Sequence, residues 1–142
     1  MLTQKKKIGY VSMVGDLFHY GHVNQLKNVY DQGYTVIVGI HDDETVASYK
    51  RIPILTMDER VKVIESCKYV SKIIKNAPLI ETKDFLDKHD IDMVFHGHTK
   101  EENYKYKKMF EEPERLGKFK RTEYTSEIST TQIINRILER YK

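Results

Sequence analysis

Apolar residues follow two different patterns along the chain. Short, nearly continuous apolar runs rich in β-branched residues occur at 8–14, 34–40 and 92–96, and polar and apolar residues alternate at 69–74. Runs of this length are typical of strands, and continuous ones suit a parallel sheet that is covered on both faces. Between them, apolar residues recur every three or four positions, as they do in amphipathic helices. The pattern predicts strands that alternate with helices.

The ends of the predicted helices coincide with capping residues, glycine or proline. Thr82, and either Thr56 or Asp58, are suited to cap a helix N-terminus. Gly33 supplies a stop, and Pro113 is expected to end the helix before it. Helices are therefore predicted from about His22 to Gly33, over 42–49, from the Thr56 or Asp58 cap to Cys67, over 82–89, over 99–112 and over 130–141.

This alternation predicts the fold class. Strands that alternate with helices favour an α/β fold, here a Rossmann-like doubly wound parallel sheet with helices on both faces. Ligands in such sheets bind outside the carboxyl ends of the strands. With 142 residues, the chain matches one hydrophobic core, so a single domain over 1–142 is expected.

Charge and cysteine content narrow the range of functions. The net charge of +3, from 24 Lys and Arg against 21 Asp and Glu, is too small and too dispersed for a surface that binds nucleic acid. The run 5–7 is either solvated or a contact to nucleic acid or membrane. Cys67 is the single cysteine, so no internal disulfide forms. We expect no membrane-inserted segment and, because the N-terminus lacks the pattern of a secretion signal, a cytoplasmic location.

The loop after the first predicted strand contains His19-Tyr20-Gly21-His22. Two imidazoles three residues apart converge on one ligand when the chain between them turns, and Gly21 lets the backbone approach because it has no Cβ. The following helix adds N–H groups and the positive end of its dipole, where phosphates bind. The motif therefore predicts a phosphate site. Incidental loop histidines, or a zinc site completed by His96 or His98, are the other interpretations.

Two further segments could contribute to the same site. Ser129, Thr130 and Thr131 precede the last predicted helix, where their hydroxyls and the first helical N–H groups form an anion site, although ordinary N-capping explains the same residues. Lys50 lies in a loop that begins before Pro53 and offers a cation to a phosphate. Along the chain, the three segments come in the order 19–22, Lys50 and 129–131.

The motifs resemble those of the cytidylyltransferases, in which H-x-G-H follows the first strand and R-T-x-G-I-S-T-T precedes the last helix. The second motif corresponds to residues 121–131, in a loop that is three residues longer than the common form. The resemblance extends over nearly the whole chain. It also takes in the Lys50 loop and the segments 58–60, 68–70 and 76–78, in the family's order.

The resemblance implies a nucleotidyltransferase that transfers CMP from CTP to a phosphoalcohol, with Mg²⁺ as cofactor. A phosphate oxygen of the alcohol would attack the α-phosphorus of CTP and displace pyrophosphate. His19, His22 and Lys50 would be the catalytic residues. The choice of CTP over ATP rests on the resemblance alone. Nucleotide contacts are implied for Ser12, Met13, Val14, Asp16, Gly21, His96, Gly97, His98, Arg121, Ile128, Ser129 and Thr130.

The acceptor is expected to be an amino-alcohol phosphate. The stretch 112–119 resembles the E-P-x-R-x-G-x-F segment of ethanolamine-phosphate cytidylyltransferases, which favours phosphoethanolamine or phosphocholine. Lys50, Tyr104 and Tyr106 are the candidate acceptor contacts, although both tyrosines also fit the surface of an amphipathic helix. Glycerol 3-phosphate is the alternative, because stand-alone bacterial enzymes of that type have a similar length.

Two further expectations follow from the family pattern. Met13 and Gly15 stand where the family usually has Gly or Thr and then an aromatic residue, so a non-catalytic nucleotide-binding domain is a second alternative. Relatives are commonly homodimers, and the segment 58–70 resembles the part through which they pair. We therefore expect a homodimer.

Overall fold

The computed structural model describes residues 5–98 and 103–141, with the side chains of 103–105 excepted. In this part of the chain, each strand is followed by a helix, and the second strand is followed by two. The strands are β1 (Ile8–Met13), β2 (Thr35–Ile40), β3 (Lys72–Lys75), β4 (Met93–His96) and β5 (Phe119–Arg121). The helices are α1 (Tyr20–Asp31), α2 (Asp43–Ala47), α3 (Met57–Ile64), α4 (Lys83–Lys88), α5 (Asn103–Arg115) and α6 (Thr130–Arg140).

The five strands form one sheet in the order β3-β2-β1-β4-β5, and every neighbouring pair is parallel. The chain adds β2 and β3 on one side of β1 and then returns to add β4 and β5 on the other side. The reversal of direction leaves a crevice at the carboxyl ends of β1 and β4, where ligands bind in open α/β sheets. The predicted Rossmann-like α/β fold is confirmed.

Each face of the sheet has its own core, because successive side chains of a strand point to opposite faces. On one face, Val11 and Met13 of β1 pack with Leu26 of α1 and Ile64 of α3. On the other face, Tyr10 packs with a smaller set that includes Leu86 of α4. Helices therefore cover both faces, as the continuous apolar strands indicate.

Most predicted elements shift by a few residues at their ends, and the shifts of β3 and α5 have a visible cause. The strand predicted over 69–74 is β3 at Lys72–Lys75, because the chain at Val70 still belongs to the turn after α3, where Val70 N–H donates to Cys67 O at 3.0 Å. The helix predicted to stop before Pro113 continues to Arg115. The start predicted at Thr99 lies outside the described residues.

Pro113 is tolerated inside α5 because the backbone compensates for it. A proline has no N–H, so the carbonyl four residues earlier, Met109 O, loses its helical partner. That carbonyl instead accepts the N–H of Glu81 at 3.3 Å. The helix ends shortly afterwards near Gly117, whose φ of 71° lies in the left-handed region that glycine adopts easily.

The last helix is amphipathic but lies at the surface. Its apolar face includes Ile137 and Leu138, which are 49% and 59% exposed, and no side chain of α6 is buried. Among the described residues, no helix combines the length and apolar character needed to cross a membrane. The division of 1–142 into a single domain stays a prediction.

Candidate functional site

A cavity of about 640 Å³ opens at the carboxyl ends of the central strands. It lies where the sheet topology places the ligand crevice, and it is formed by loops that follow β1, β2, β4 and β5 together with the starts of α1 and α6. Residues predicted for the site that line it are Ser12, Met13, Val14, Asp16, His19, Gly21, His22, Lys50, His96, Gly97, His98, Tyr106, Ile128, Ser129 and Thr130.

Two predicted contacts are not placed at the cavity. Arg121 ends β5 with an exposed side chain and is not among the lining residues. Tyr104 is in the first turn of α5, and its side chain lies outside the described part of the chain. The lining of the cavity is therefore described without Arg121 and Tyr104.

The two histidines of the motif are fixed by backbone N–H groups. His19 is the N-cap of α1, and its Nδ1 accepts the N–H of Gly21 at 3.1 Å. His22 reaches back so that its Nδ1 accepts the N–H of His19, also at 3.1 Å. Since each Nδ1 is an acceptor, the proton of each neutral ring is on Nε2. Both rings can donate from Nε2 to an anion.

The same packing keeps the histidines neutral. Burial, together with the charge of Lys50 and the charge that His19 carries when it is protonated, lowers the pKa of His22 to about 3. Burial also lowers the pKa of His19. The two ring centroids are 3.9 Å apart, and Phe18 stacks on His22 at 5.3 Å. The site therefore offers hydrogen-bond donors from uncharged rings at neutral pH.

Acidification is expected to destabilise the fold between pH 6.5 and about pH 3. In that range the unfolded chain protonates His22 and the folded chain does not, so the free energy of unfolding falls as the pH falls. One such group contributes a slope that approaches about 1.4 kcal/mol per pH unit. Urea unfolding at several pH values below 6.5 measures it.

The matched variant for this measurement is His22→Gln, which cannot titrate. His19 and His41, whose pKa values burial also lowers, remain in both proteins and cancel in the comparison. The variant should show the shallower dependence of stability on pH. Equal slopes for the two proteins would contradict the assignment.

The start of α6 reaches the histidines. Thr130 Oγ1 donates to Asp16 O at 2.9 Å and lies 3.5 Å from His19 Nε2. Ser129 is the N-cap of α6, and its Oγ accepts the N–H of Gln132 at 3.1 Å. The capping interpretation therefore holds for Ser129. Because both residues also line the cavity, the positive end of the α6 dipole is directed at the same space as that of α1.

Asp16 and Arg60 hold the loop that carries Lys50. The Asp16 carboxylate accepts the N–H groups of Ile54 and Leu55 at 2.8 and 2.9 Å. The fully buried guanidinium of Arg60 donates to Val14 O, His41 O and Leu55 O, and it pairs with the Asp43 carboxylate at 2.6 Å. These contacts join the loops after β1 and β2 into one unit.

Lys50 and Arg51 follow α2 in this unit and line the cavity. The N–H of Lys50 donates to Val46 O at 2.8 Å, and its Nζ is 5.6 Å from the centroid of the Tyr49 ring. Arg51 Nη1 donates to Thr131 Oγ1 at 3.1 Å, which ties the loop to α6. Two cations therefore line the cavity beside two helix N-termini.

Several residues at the cavity were not predicted as site residues. His41 follows the carboxyl end of β2, a position where site residues are expected, and the strand pattern could have identified it. Glu81 touches the cavity floor through Ser12, but it lies in an irregular segment whose burial no local pattern indicates. Other unpredicted lining residues include Gln25, Tyr49, Arg51, Met109 and Glu123.

Comparisons with known proteins show the family of this chain. A sequence profile of the family described as Cytidylyltransferase-like matches residues 16–136. An ethanolamine-phosphate cytidylyltransferase of Mus musculus is 35% identical over 87% of this chain and 30% of its own length. That of Dictyostelium discoideum is 34% identical over 96% and 38%. Choline-phosphate cytidylyltransferase 2 of Arabidopsis thaliana is 36% identical over 93% and 45%. The chain thus spans less than half the length of these relatives.

Solved structures support the fold. The lipopolysaccharide core biosynthesis protein of Thermoplasma volcanium GSS1 superposes with a TM-score of 0.67 at 22% identity, covering 86% of this chain and 100% of that protein. Pantoate-beta-alanine ligase of Francisella tularensis gives a TM-score of 0.51 at 15% identity, over 97% and 72%. At such identities the likeness concerns fold alone. The profile match over most of its residues shows that the chain belongs to the Cytidylyltransferase-like family.

Proposed function

We propose that this chain transfers CMP from CTP to a phosphoalcohol, giving a CDP-alcohol and pyrophosphate. The observation that carries the proposal is the convergence of His19, His22, Lys50 and the first turns of α1 and α6 on one cavity. Each of these groups suits an anion, and together they suit a triphosphate and a second phosphate. The names of the relatives support CTP as the nucleotide.

In the proposed reaction, a phosphate oxygen of the acceptor forms a bond to the α-phosphorus of CTP. The bond from that phosphorus to the oxygen bridging to the β-phosphorus breaks, and its electrons leave with pyrophosphate. A phosphate monoester is largely a dianion at neutral pH, so it attacks without a general base. The chain's task is therefore to align two anions and to stabilise charge on the phosphoryl oxygens.

The residues divide this task by position. His19 and His22 donate from Nε2 to the triphosphate, and their neutrality lets the donors work without a change of protonation. Lys50 brings a positive charge to the α-phosphate and to the incoming phosphate, whose mutual repulsion is the main obstacle. The α6 N-terminus, with Ser129 and Thr130, accommodates the β- and γ-phosphates.

We propose that Mg²⁺ binds at this site together with the nucleotide. Within the described residues, no three His, Cys, Asp or Glu side chains form a metal-binding group. Mg²⁺ commonly binds through substrate phosphates and water with few protein ligands, and Glu123 is a carboxylate on the cavity wall that could contribute one. When bound, the ion neutralises charge on the leaving pyrophosphate.

The favoured acceptors are phosphoethanolamine and phosphocholine, which appear in the names of the relatives. Glycerol 3-phosphate is the alternative acceptor. Of the two candidate tyrosines, Tyr104 and Tyr106, Tyr106 lines the cavity. We also propose that the protein acts in the cytoplasm as a homodimer that pairs through the segment 58–70. These finer points rest on the family resemblance.

Pyrophosphate release tests the activity. The purified chain is incubated with CTP, Mg²⁺ and each of phosphoethanolamine, phosphocholine and glycerol 3-phosphate. Release of pyrophosphate is measured, and formation of the CDP-alcohol is followed by chromatography. We expect pyrophosphate release to depend on an amino-alcohol phosphate and to be much weaker when ATP replaces CTP. Binding of CTP without turnover of any acceptor would contradict the proposal and favour the non-catalytic alternative.

A further inference from the structure

A buried carboxylate, that of Glu81, contacts the floor of the cavity and has no part in the proposed mechanism. Glu81 is fully buried, and its Oε1 accepts the Ser12 hydroxyl at 3.1 Å and lies 3.4 Å from His96 Nε2. Its Oε2 is buried without a hydrogen-bond partner among the described residues. Burying a carboxylate in this way is costly, so a position that retains one calls for an explanation.

The backbone holds Glu81 in this place. Its N–H donates to Met109 O, the carbonyl that Pro113 leaves without a helical partner. On the same face of the sheet, Gly39 leaves space for the Tyr10 hydroxyl, because a Cβ at Gly39 would lie 1.9 Å from it. Close packing on this side makes withdrawal of the carboxylate from the cavity floor unfavourable.

Ser12 connects Glu81 to the cavity. It is near the carboxyl end of β1 and lines the cavity, and its one hydroxyl proton is donated to Glu81. A carboxylate at Glu81 can only accept, so the Ser12 oxygen keeps lone pairs for a ligand. Towards the cavity, Ser12 therefore acts as a hydrogen-bond acceptor with a negative charge behind it.

His41 provides a second acceptor. Its Nδ1 lies 3.1 Å from Ala77 O, and because a carbonyl only accepts, Nδ1 carries the proton. The ring lines the cavity, and the nitrogen that it can present there is Nε2. Burial lowers the pKa of His41, which leaves Nε2 with its lone pair at neutral pH.

Ser12 and His41 face the same space. Ser12 pairs with Gly39 in the parallel register, and His41 follows two residues later, so both side chains point to one face of the sheet. The negative charge of Glu81 acts on His41 as well, where it opposes the loss of a proton. Two acceptors and a buried negative charge therefore meet on the β2 side of the cavity.

We propose that Glu81, Ser12 and His41 form a subsite for the ammonium group of the acceptor and select a primary ammonium over a quaternary one. This inference rests on the proposed function, since it specifies the acceptor of that reaction. A primary ammonium donates N–H bonds to Ser12 Oγ and His41 Nε2, and the charge of Glu81 attracts it. A trimethylammonium has no N–H to donate, and glycerol 3-phosphate has no cation, so both leave the acceptors unpaired.

The experiment compares acceptors that differ in N-methylation. Phosphoethanolamine, its monomethyl and dimethyl derivatives and phosphocholine are assayed with saturating CTP, and kcat/KM is measured for each. The value should fall with each methyl group and be lowest for phosphocholine. A flat series, or one that rises towards phosphocholine, would overturn the proposal.

Variants assign the selectivity to the subsite. Glu81→Gln keeps the shape and removes the charge, and it should raise KM for phosphoethanolamine by about 30-fold, with kcat and the KM for CTP little changed. Ser12→Ala should give a smaller increase, also restricted to acceptors with N–H groups. Glu114→Gln removes an equal charge from the exposed surface of α5 and serves as the control.

The pattern across acceptors separates selectivity from a structural role. If Glu81→Gln and Ser12→Ala both lower kcat/KM by the same factor for phosphoethanolamine and for glycerol 3-phosphate, which has no cation, Glu81 only supports the fold and the proposal fails. If the unaltered protein turns over no acceptor, the proposed function fails, and calorimetric binding of phosphoethanolamine and phosphocholine in the presence of CTP decides the subsite. Tighter binding of phosphoethanolamine, weakened by Glu81→Gln, would support it, and equal binding would overturn it.

Discussion

Replacement of Lys50 by Met is expected to lower kcat/KM by about 10³-fold, which is the range for removing a cation that stabilises phosphoryl transfer. The side chain starts from a backbone fixed through Val46 and lines the cavity, where the proposed reaction brings two phosphates together. Without the Lys50 ammonium, only the hydrogen-bond donors at the starts of α1 and α6 offset the repulsion between the two phosphates. Steady-state kinetics with both substrates varied measures the effect.

The stability of this variant should change little, since Lys50 lies in an exposed loop position and buries no large apolar area. Lys27→Met removes an equal charge from the surface of α1, where Lys27 pairs with Asp31, and is expected to retain full activity. A Lys50 variant that loses no more than tenfold in kcat/KM, at unchanged thermal stability, would contradict the proposed role.

Replacement of His19 by Asn is expected to lower kcat by about 10²–10³-fold, the typical cost of one donor to a transition-state oxyanion. Asn is chosen because it is a good N-cap, so it can replace the bond that His19 Nδ1 accepts from Gly21. What the shorter side chain loses is the donor at Nε2. Single-turnover rates at saturating CTP separate this loss from weaker binding.

The control for capping is Thr56→Ala. Thr56 caps α3 with the same reciprocal arrangement that His19 and His22 make at α1. Its loss should cost about 1 kcal/mol of stability and leave kcat unchanged. If His19→Asn retains kcat, the histidine is a helix cap and the phosphate site must rely on other groups.

Much of the fold follows from the pattern of apolar residues. The four runs of strand character lead to β1, β2, β3 and β4. The cap predicted at Thr82 is present, and of the alternatives Thr56 and Asp58 the structure has Thr56 as the cap. The sequence pattern gives a wrong helix end where a contact distant in sequence stabilises the structure. Pro113 is expected to end the helix, but the N–H of Glu81 donates to Met109 O, the carbonyl that the proline leaves without a partner, and the helix continues.

The candidate site was predictable to a similar extent. Residues at the carboxyl ends of strands and at helix starts lie together, because a parallel sheet brings those ends to one edge. His19, His96 and Thr130 are examples. Arg121 satisfies the motif order, but its side chain is exposed on β5 and not at the cavity. Glu81 could not be predicted, since its role depends on burial that only the folded chain creates.

Asp16 has a consequence for how the protein folds and responds to its ligand. Its carboxylate binds the loop after Lys50, its carbonyl accepts the Thr130 hydroxyl, and its own loop leads to His19. Segments from the beginning, the middle and the end of the chain thus meet at one residue. A chain that has not yet placed α6 lacks the Ser129 and Thr130 side of the cavity, so the proposed triphosphate site is complete only with the last helix. A nucleotide bound as proposed contacts all three segments and is expected to raise the unfolding free energy of the chain.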